Sequence, residues 1–173
     1  MSFNLDDFID AIPDFPKPGI LFRDISPVLE NPAALRQVID ALHGCAQPLR
    51  PELIAGVDAR GFLFAAPLAL RLDIGTVMLR KPGKLPGETL DEVYSLEYGD
   101  ASLSLQTRRQ VEGRRVLLCD DLIATGGTLA ASARLIERAG GAVVGAVCLI
   151  ELTALAGREQ LSFPFAALHQ YGE

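Results

Sequence analysis

The chain has 173 residues, which is enough for one well-packed domain and short for two, so a single domain over 1–173 is expected. Apolar residues make up 49% and charged residues 22% of the chain, the balance of a globular protein rather than a disordered one. The net charge of −6 argues against nucleic-acid binding, and no run approaches the roughly 20 apolar residues of a membrane helix.

The expected compartment follows from the first residues and from the cysteines. The first ten residues contain three aspartates and no basic side chain, which is the reverse of the start of a signal peptide. Cys45, Cys119 and Cys148 are odd in number, far apart and set among apolar neighbours, which favours reduced buried thiols over disulfides or a metal cluster. We therefore expect a cytoplasmic protein.

The first half of the chain predicts alternating helices and strands. Apolar residues at three- and four-residue steps predict an amphipathic helix over 32–49. The apolar run Leu53–Val57 predicts a buried strand, and a helix over about 62–71 and a second strand over 76–79 follow. This alternation is typical of a parallel sheet.

The segment 81–100 predicts a functional excursion. It contains three glycines, two prolines and few apolar residues, so it reads as a long loop with a hairpin. Loops of about twenty residues are uncommon in compact domains and usually have a function, such as that of an active-site lid.

The second half of the chain continues the alternation. A third strand is predicted over 116–119, a helix over 128–138 that ends at Gly140 and Gly141, and a fourth strand over 142–150. The whole pattern predicts an α/β fold with a mostly parallel central sheet that helices flank on both faces. In such sheets ligands bind at the carboxyl ends of the strands, where loops lead into helices.

The loop after the third strand has the composition of a phosphate site. It begins with Asp120 and Asp121 and continues through a turn of small residues into a helix. Bare glycine backbone, threonine hydroxyls and a helix N-terminus are suited to phosphate oxygens, and the two carboxylates are suited to sugar hydroxyls or hydrated Mg2+. A Walker loop and a dinucleotide fingerprint are both absent. A plain glycine turn with a threonine cap would leave two aspartates at the end of an apolar strand unexplained.

A basic cluster stands out in this acidic chain. Only three lysines occur, and two of them, Lys81 and Lys84, lie close to Arg80. From the residues alone, a site for a small polyanion and a solvated loop are equally good interpretations.

Several segments together resemble the adenine phosphoribosyltransferases, within the type I phosphoribosyltransferase family. The run 116–128 is similar to the family's motif for 5-phosphoribosyl-1-pyrophosphate (PRPP), and the resemblance spans roughly residues 13–170. The segments that narrow it to this branch are 15–27, 59–64, 80–87, 94–99 and 151–153. The resemblance implies the type I phosphoribosyltransferase fold, with a flexible lid over 81–100 and a small N-terminal hood over 1–30 that binds the base.

The resemblance also implies roles for the residues around PRPP. Asp120 and Asp121 would hold the ribose hydroxyls, and Arg60 would meet the pyrophosphate beside a cis Asp58–Ala59 peptide. Further positive charge on the pyrophosphate would come from Arg80, Lys81 and Lys84. The 5-phosphate would be cradled by Ala124, Thr125, Gly126, Gly127 and Thr128.

The remaining implied roles concern the lid, the base and the partners. Glu97 would be the acid/base group on the lid, and Tyr98 would pack against the ligand. Adenine would lie between Phe22 and Leu152, near backbone groups of Leu21, Phe22 and Arg23. The implied reaction converts adenine and PRPP to AMP and pyrophosphate in a homodimer, with Mg2+ held mainly through PRPP and water near Asp120 and Asp121.

Two alternatives remain beside this expectation. A relative could prefer hypoxanthine, guanine, xanthine or orotate, because stacking accepts any flat base and selectivity depends on backbone donors and acceptors. A regulator that keeps the fold without turnover would need a DNA-binding segment or a basic face, for which the chain has no spare length.

Overall fold

A computed structural model describes residues 3–96 and 99–172. The helices are α1 (Ser26–Glu30), α2 (Pro32–Ala46), α3 (Gly61–Leu72) and α4 (Gly127–Arg138). The strands are β1 (Asp10–Pro13), β2 (Leu21–Asp24), β3 (Leu53–Val57), β4 (Gly75–Leu79), β5 (Thr89–Leu96), β6 (Gly99–Gln106), β7 (Arg115–Cys119), β8 (Leu122–Ile123), β9 (Ala142–Leu152) and β10 (Phe165–Tyr171). No helix in these ranges has the length and apolarity to span a bilayer.

The central sheet is parallel, which confirms the predicted α/β architecture. Its order is β10-β9-β7-β3-β4, and the short β8 pairs with the far end of β9. Neighbouring residues of one strand face opposite sides, so Leu117 joins the core under α2 and α3 while Leu118 joins the core under α4. The helices therefore cover both faces, as the apolar runs predict.

The helix ends follow local chemistry. The Asn31 side chain accepts hydrogen bonds from the amides of Ala33 and Ala34, both at 3.0 Å, and Pro32 occupies the first helical position of α2. α3 ends at Leu72, and the next residue, Asp73, has a φ of 57°, in the left-handed region. The predicted helix over 32–49 is confirmed as far as Ala46, where a tighter turn, Gln47–Leu49, replaces it.

Two small antiparallel units stand apart from the central sheet. β1 and β2 form an N-terminal hairpin within the expected 1–30 hood. β5 and β6 form the hairpin expected within 81–100, but its return strand continues to Gln106 and packs against α4. A single bridge between Arg80 and Ser104 joins the base of this hairpin to the end of β4.

The three cysteines are free, as predicted. Cys119 on β7 and Cys148 on β9 are completely buried, whereas Cys45 on α2 is partly exposed. Burial raises the pKa of both inner thiols, so they stay protonated.

Candidate active site

A cleft of about 530 Å³ opens at the carboxyl ends of β3 and β7. This is the edge at which parallel α/β sheets bind ligands. Asp58 and Arg60 line it from the loop after β3, Lys81 and Tyr94 from the hairpin side, and residues 120–129 from the loop after β7. The structure therefore brings the expected phosphate loop, its acid pair, Arg60 and one of the three clustered basic residues together.

The phosphate loop turns sharply into α4 at Gly126. This residue has a φ of 83°, in the left-handed region that glycine adopts without strain. It is the residue before α4, so the next amides lie in the first turn, where backbone N–H groups have no intrahelical acceptor. The loop thus has the geometry of an anion site: donors at a helix N-terminus that open on a cleft.

The acid pair is buried at the floor of the cleft. Asp120 is 9% exposed and Asp121 5% exposed, and Asp120 Oδ1 accepts a hydrogen bond from the Asp121 amide at 2.8 Å. Burial raises the pKa of Asp120 well above its ordinary value, and the negative charge of Asp121 adds to this effect. A Cβ on Gly61 would lie 2.6 Å from the Cys119 carbonyl oxygen, so the start of α3 packs directly behind the pair.

Arg60 provides the counter-charge for Asp121. Its Nε lies 3.0 Å from Asp121 Oδ2, although the angles are not those of a hydrogen bond. Asp121 Oδ2 and Arg60 Nη1 are both buried, with no hydrogen-bond partner among the described residues. Buried polar atoms are nearly always satisfied, so Arg60 Nη1, which has neither an ion-pair nor a hydrogen-bond partner among the described residues, is a donor suited to a polar ligand.

The peptide between Asp58 and Ala59 is cis, as expected. Asp58 also organises the basic cluster: its Oδ2 contacts Arg80 Nε at 3.1 Å and accepts from the Lys81 amide at 3.3 Å. Arg80 Nη1 in turn donates to the Lys84 carbonyl oxygen at 3.2 Å. Lys81 lines the cleft, whereas Arg80 and Lys84 lie outside its lining, with Arg80 acting as a brace for the loop.

The expected base-binding residues lie beside this cleft rather than in its lining. Leu21, Phe22 and Arg23 belong to β2, and Leu152 ends β9. The Phe22 ring lies 5.0 Å from the Arg60 guanidinium, which connects the hood to the cleft. The guanidinium of Arg23 stacks on the ring of Tyr171 at 3.6 Å, so that side chain is engaged in holding the hood to β10.

The expected lid residues Glu97 and Tyr98 lie outside the described residues. The strand that leads to them is β5, and sequence reasoning gave no role to its side chains. The Tyr94 hydroxyl lies 3.3 Å from the Thr128 hydroxyl of the phosphate loop. Glu92 pairs with Arg134 at 2.6 Å and with Arg138 at 2.8 Å, which fastens β5 to α4.

A second unpredicted group lies behind the phosphate loop. Glu151, at the end of β9, forms a two-point contact with Arg158, and the adjacent Gly157 touches the loop backbone. The acidic residue inside an apolar strand was the available signal, because a buried carboxylate requires a partner.

Comparison with known proteins defines first the class and then the branch. Residues 24–166 match the family model described as phosphoribosyl transferase domain. The chain is 50% identical over 172 residues to the adenine phosphoribosyltransferase of Gluconacetobacter diazotrophicus, covering 99% of this chain and 98% of the relative.

Solved structures agree with the sequence relatives. The adenine phosphoribosyltransferase of Thermoanaerobacter pseudethanolicus superimposes with a TM-score of 0.94 at 48% identity, over 97% of this chain and 100% of that one. That of Saccharomyces cerevisiae, in complex with an imino-altritol bisphosphate and adenine, gives 0.89 at 37% identity over 95% and 96%. The chain therefore belongs to the adenine phosphoribosyltransferase family, and the resemblance seen in the sequence is confirmed.

Proposed function

We propose that the chain transfers the 5-phosphoribosyl group of PRPP to adenine, giving AMP and pyrophosphate. As a member of its family it is a pentosyltransferase enzyme. One observation carries the proposal: a glycine turn at a helix N-terminus shares a cleft with an acid pair and with Arg60, whose buried Nη1 has no hydrogen-bond partner among the described residues. Donors for a phosphate and acceptors for hydroxyls in one cleft suit a phosphorylated sugar.

The roles divide according to the chemistry of each group. Ala124, Thr125, Gly126, Gly127 and Thr128 cradle the 5-phosphate with backbone amides and hydroxyls. Asp120 and Asp121 accept hydrogen bonds from the ribose hydroxyls. Arg60 and Lys81 meet the pyrophosphate, with Arg80 and Lys84 adding positive charge to the same region.

The reaction breaks the anomeric C–O bond and forms a bond from that carbon to a ring nitrogen of adenine. The bonding electron pair leaves with pyrophosphate, while positive charge develops on the ribose. Preorganised cations aimed at the leaving oxygen stabilise this transition state more than the ground state. The hairpin of β5 and β6 lines the cleft, and we propose that it acts as the lid that excludes water, which would otherwise hydrolyse PRPP.

The proton of the adenine ring nitrogen must leave as the new bond forms. We assign this acid/base role to Glu97 and ligand packing to Tyr98, on the strength of the family motif. The change Glu97→Gln is expected to lower kcat by about 100-fold or more while PRPP binding survives, because only proton transfer is removed. An unchanged kcat would remove Glu97 from the chemistry.

The acid pair fits a magnesium ion that PRPP brings. No cluster of three or more metal-ligating side chains exists within 3–96 and 99–172, yet Asp120 and Asp121 place two carboxylates at the cleft. Such a donor set suits Mg2+ held mainly by phosphate oxygens and water, with the aspartates accepting from its water ligands. When bound, the ion would neutralise charge on the departing pyrophosphate.

Adenine is proposed to bind at the hood. The proposal takes Phe22 and Leu152 as the two faces of the base site and the backbone of Leu21, Phe22 and Arg23 as its polar edge. The relative from S. cerevisiae was crystallised with adenine, which supports this choice of base. Adenine presents an amino donor and a ring acceptor where hypoxanthine and guanine present the reverse, so a fixed backbone pattern can select it.

A homodimer is proposed from apolar side chains near the sheet edge. Leu63 and Leu70 on α3 and Met78 on the edge strand β4 are all exposed, and Leu70 is 83% exposed. Leu63 and Leu70 are seven residues, or about two helical turns, apart and therefore lie on the same face of α3, and exposed apolar groups on one face suit an association surface. Light scattering should give twice the chain mass, and Leu70→Ser should weaken the association.

We also propose a cytoplasmic location, which suits two buried thiols without a disulfide.

One assay panel tests the function. The purified chain is incubated with PRPP and Mg2+ and with adenine, hypoxanthine, guanine, xanthine or orotate in turn, and nucleotide and pyrophosphate are followed. Formation of AMP and pyrophosphate in equal amounts from adenine, and far less product from the other bases, is expected. Preference for another base would replace adenine as the substrate, and no product with any base would refute transferase activity.

A further inference from the structure

The back of the phosphate loop is held by a contact between two bare glycine backbones. A Cβ built on Gly126 would lie 2.2 Å from the Gly157 carbonyl oxygen, and one built on Gly157 would lie 2.1 Å from the Ala124 carbonyl oxygen. Both distances are far below van der Waals contact, so neither position accepts a side chain unless the loop or its neighbour moves. The two segments interlock.

The two glycines are required for different reasons. Gly126 has a left-handed φ of 83°, so both its conformation and its space demand glycine. Gly157 is outside the set of positive-φ residues, so only space demands it. Its Cβ would also lie 2.8 Å from the Gly126 nitrogen, one of the backbone groups of the phosphate turn.

The segment that carries Gly157 is fixed to the central sheet by the next residue. Arg158 donates from Nη2 and Nε to the two Glu151 carboxylate oxygens at 2.6 and 3.0 Å, and from Nη1 to the Phe165 carbonyl oxygen at 3.2 Å. Glu151 is 3% exposed and also accepts from Gln170 at 2.9 Å. A two-point arginine–carboxylate contact fixes orientation as well as distance.

The backbone of Glu151 also supports the start of the phosphate loop, through strand pairing. Glu151 on β9 is in register with Ile123 on β8, the residue directly before Ala124. The loop is thus fixed from below by strand pairing and from behind by Gly157. Glu151 thus contributes to both supports, through its backbone to the strand pairing and through its carboxylate to Arg158.

We infer that Gly157, with the Glu151–Arg158 ion pair, is a positioning element that sets the shape of the phosphate loop for the 5-phosphate. The inference rests on the proposed function, since it presumes that residues 124–128 bind that phosphate. Amides must converge on the oxygens of one anion, and hydrogen bonds weaken steeply as distance and angle depart from ideal. A shift of a few tenths of an ångström at Ala124 and Gly126 therefore weakens several donors together.

The test compares two ligands that occupy different halves of the cleft. Ribose 5-phosphate probes the phosphate loop, and inorganic pyrophosphate with Mg2+ probes the side of Arg60 and Lys81. Dissociation constants are measured by calorimetry for the unmodified protein, for Gly157→Ala and for Gly44→Ala. Gly44 lies in α2 with open space around its Cβ, so it controls for the glycine-to-alanine change itself.

Gly157→Ala is expected to weaken ribose 5-phosphate by about tenfold or more, because hydrogen bonds to a charged group are lost. Pyrophosphate binding should stay within about twofold, and Gly44→Ala should match the unmodified protein for both ligands. A general disturbance of the fold would weaken both ligands alike and would overturn the inference. So would unchanged binding of ribose 5-phosphate.

A second variant keeps the test decisive if Gly157→Ala does not fold. Arg158→Lys retains the charge but loses the two-point contact, and it should weaken ribose 5-phosphate selectively, by about threefold. Equal effects on both ligands in this variant would refute the role of the ion pair. If the unmodified protein binds neither ligand, the proposed function itself fails, which is a different result from loss of selectivity in the variants.

Discussion

The change Asp121→Asn tests the acid pair most directly. It keeps the size of a buried side chain and removes the charge whose Oδ2 atom lies 3.0 Å from Arg60 Nε. Half of the acceptor becomes an amide donor, so a ribose hydroxyl that donated to the carboxylate loses its partner or meets a like group. The loss should appear in PRPP use rather than in the fold.

The expected magnitude follows from burial. A hydrogen bond to a buried charged group contributes about 1.5–3 kcal/mol, so kcat/KM for PRPP should fall by about 10- to 100-fold. Stability should change little, because the loss of attraction to the partly exposed Arg60 is offset by the loss of repulsion toward Asp120. The Tm should therefore stay within about 4 °C of that of the unmodified protein, which corresponds to about 1 kcal/mol.

The assay measures initial rates over a PRPP titration at saturating adenine and Mg2+. Asp40→Asn is a matched control, because Asp40 pairs with Arg71 Nε at 3.1 Å on the exposed surface of α2 and α3. That variant should retain full kcat/KM, since an exposed pair contributes about 0–1 kcal/mol and lies outside the cleft. If Asp121→Asn stays within about threefold of the unmodified protein, the assignment of the acid pair to the sugar is wrong.

Two further predictions concern the hairpin and its anchor. Tyr94→Phe removes the hydroxyl that lies 3.3 Å from the Thr128 hydroxyl. Because one neutral hydrogen bond contributes about 1 kcal/mol, this change should raise the KM for PRPP by about fivefold and leave kcat nearly unchanged. An unaltered KM would show that Tyr94 has no role in positioning the phosphate loop. Hydrogen bonds from Arg134, and next from Arg138, lower the pKa of Glu92 in the folded protein. The ionised Glu92 therefore stabilises the folded state fully above pH 4.5, the ordinary pKa, and this stabilisation is lost as the pH falls through the lower pKa of the folded state. Glu92→Gln should therefore lower the Tm by about 2–4 °C at pH 7 and by much less near pH 3, and an equal loss at both values would show that charge is not the cause.

Local signals in the sequence were sufficient for four strands of the central sheet, namely β3, β4, β7 and β9. The strand Leu53–Val57 has its predicted bounds, because a continuous apolar run ends at the charged Asp58. β10 was missed because its apolar run over 165–168 is short and contains two alanines, which strands disfavour, and the polar His169 and Gln170 follow it. The hairpin was predicted to end near residue 100, but pairing with β5 extends it to Gln106.

The site was predictable in its parts and less so in its contacts. A short motif fixes which residues follow β7, so the acid pair and the glycine turn could be located from the sequence. The contact of Arg60 with Asp121 joins segments that are far apart in the sequence, which no local pattern encodes. Glu151 and Arg158 are only seven residues apart, but their contact depends on the path of the chain after β9, which was not predicted. The space that forces glycine at 157 is visible only when the neighbouring backbone is in place.

The two buried cysteines can report local unfolding of the central sheet. Cys119 precedes Asp120 directly on β7, and Cys148 lies on the neighbouring β9, both sealed from solvent. A thiol reagent requires an accessible thiolate, so it should modify Cys45 readily and reach the other two only when the centre of the sheet separates. The rate at which mass spectrometry detects alkylation of Cys119 and Cys148 would therefore report how often β7 and β9 separate. A ligand that binds the phosphate loop should lower this rate.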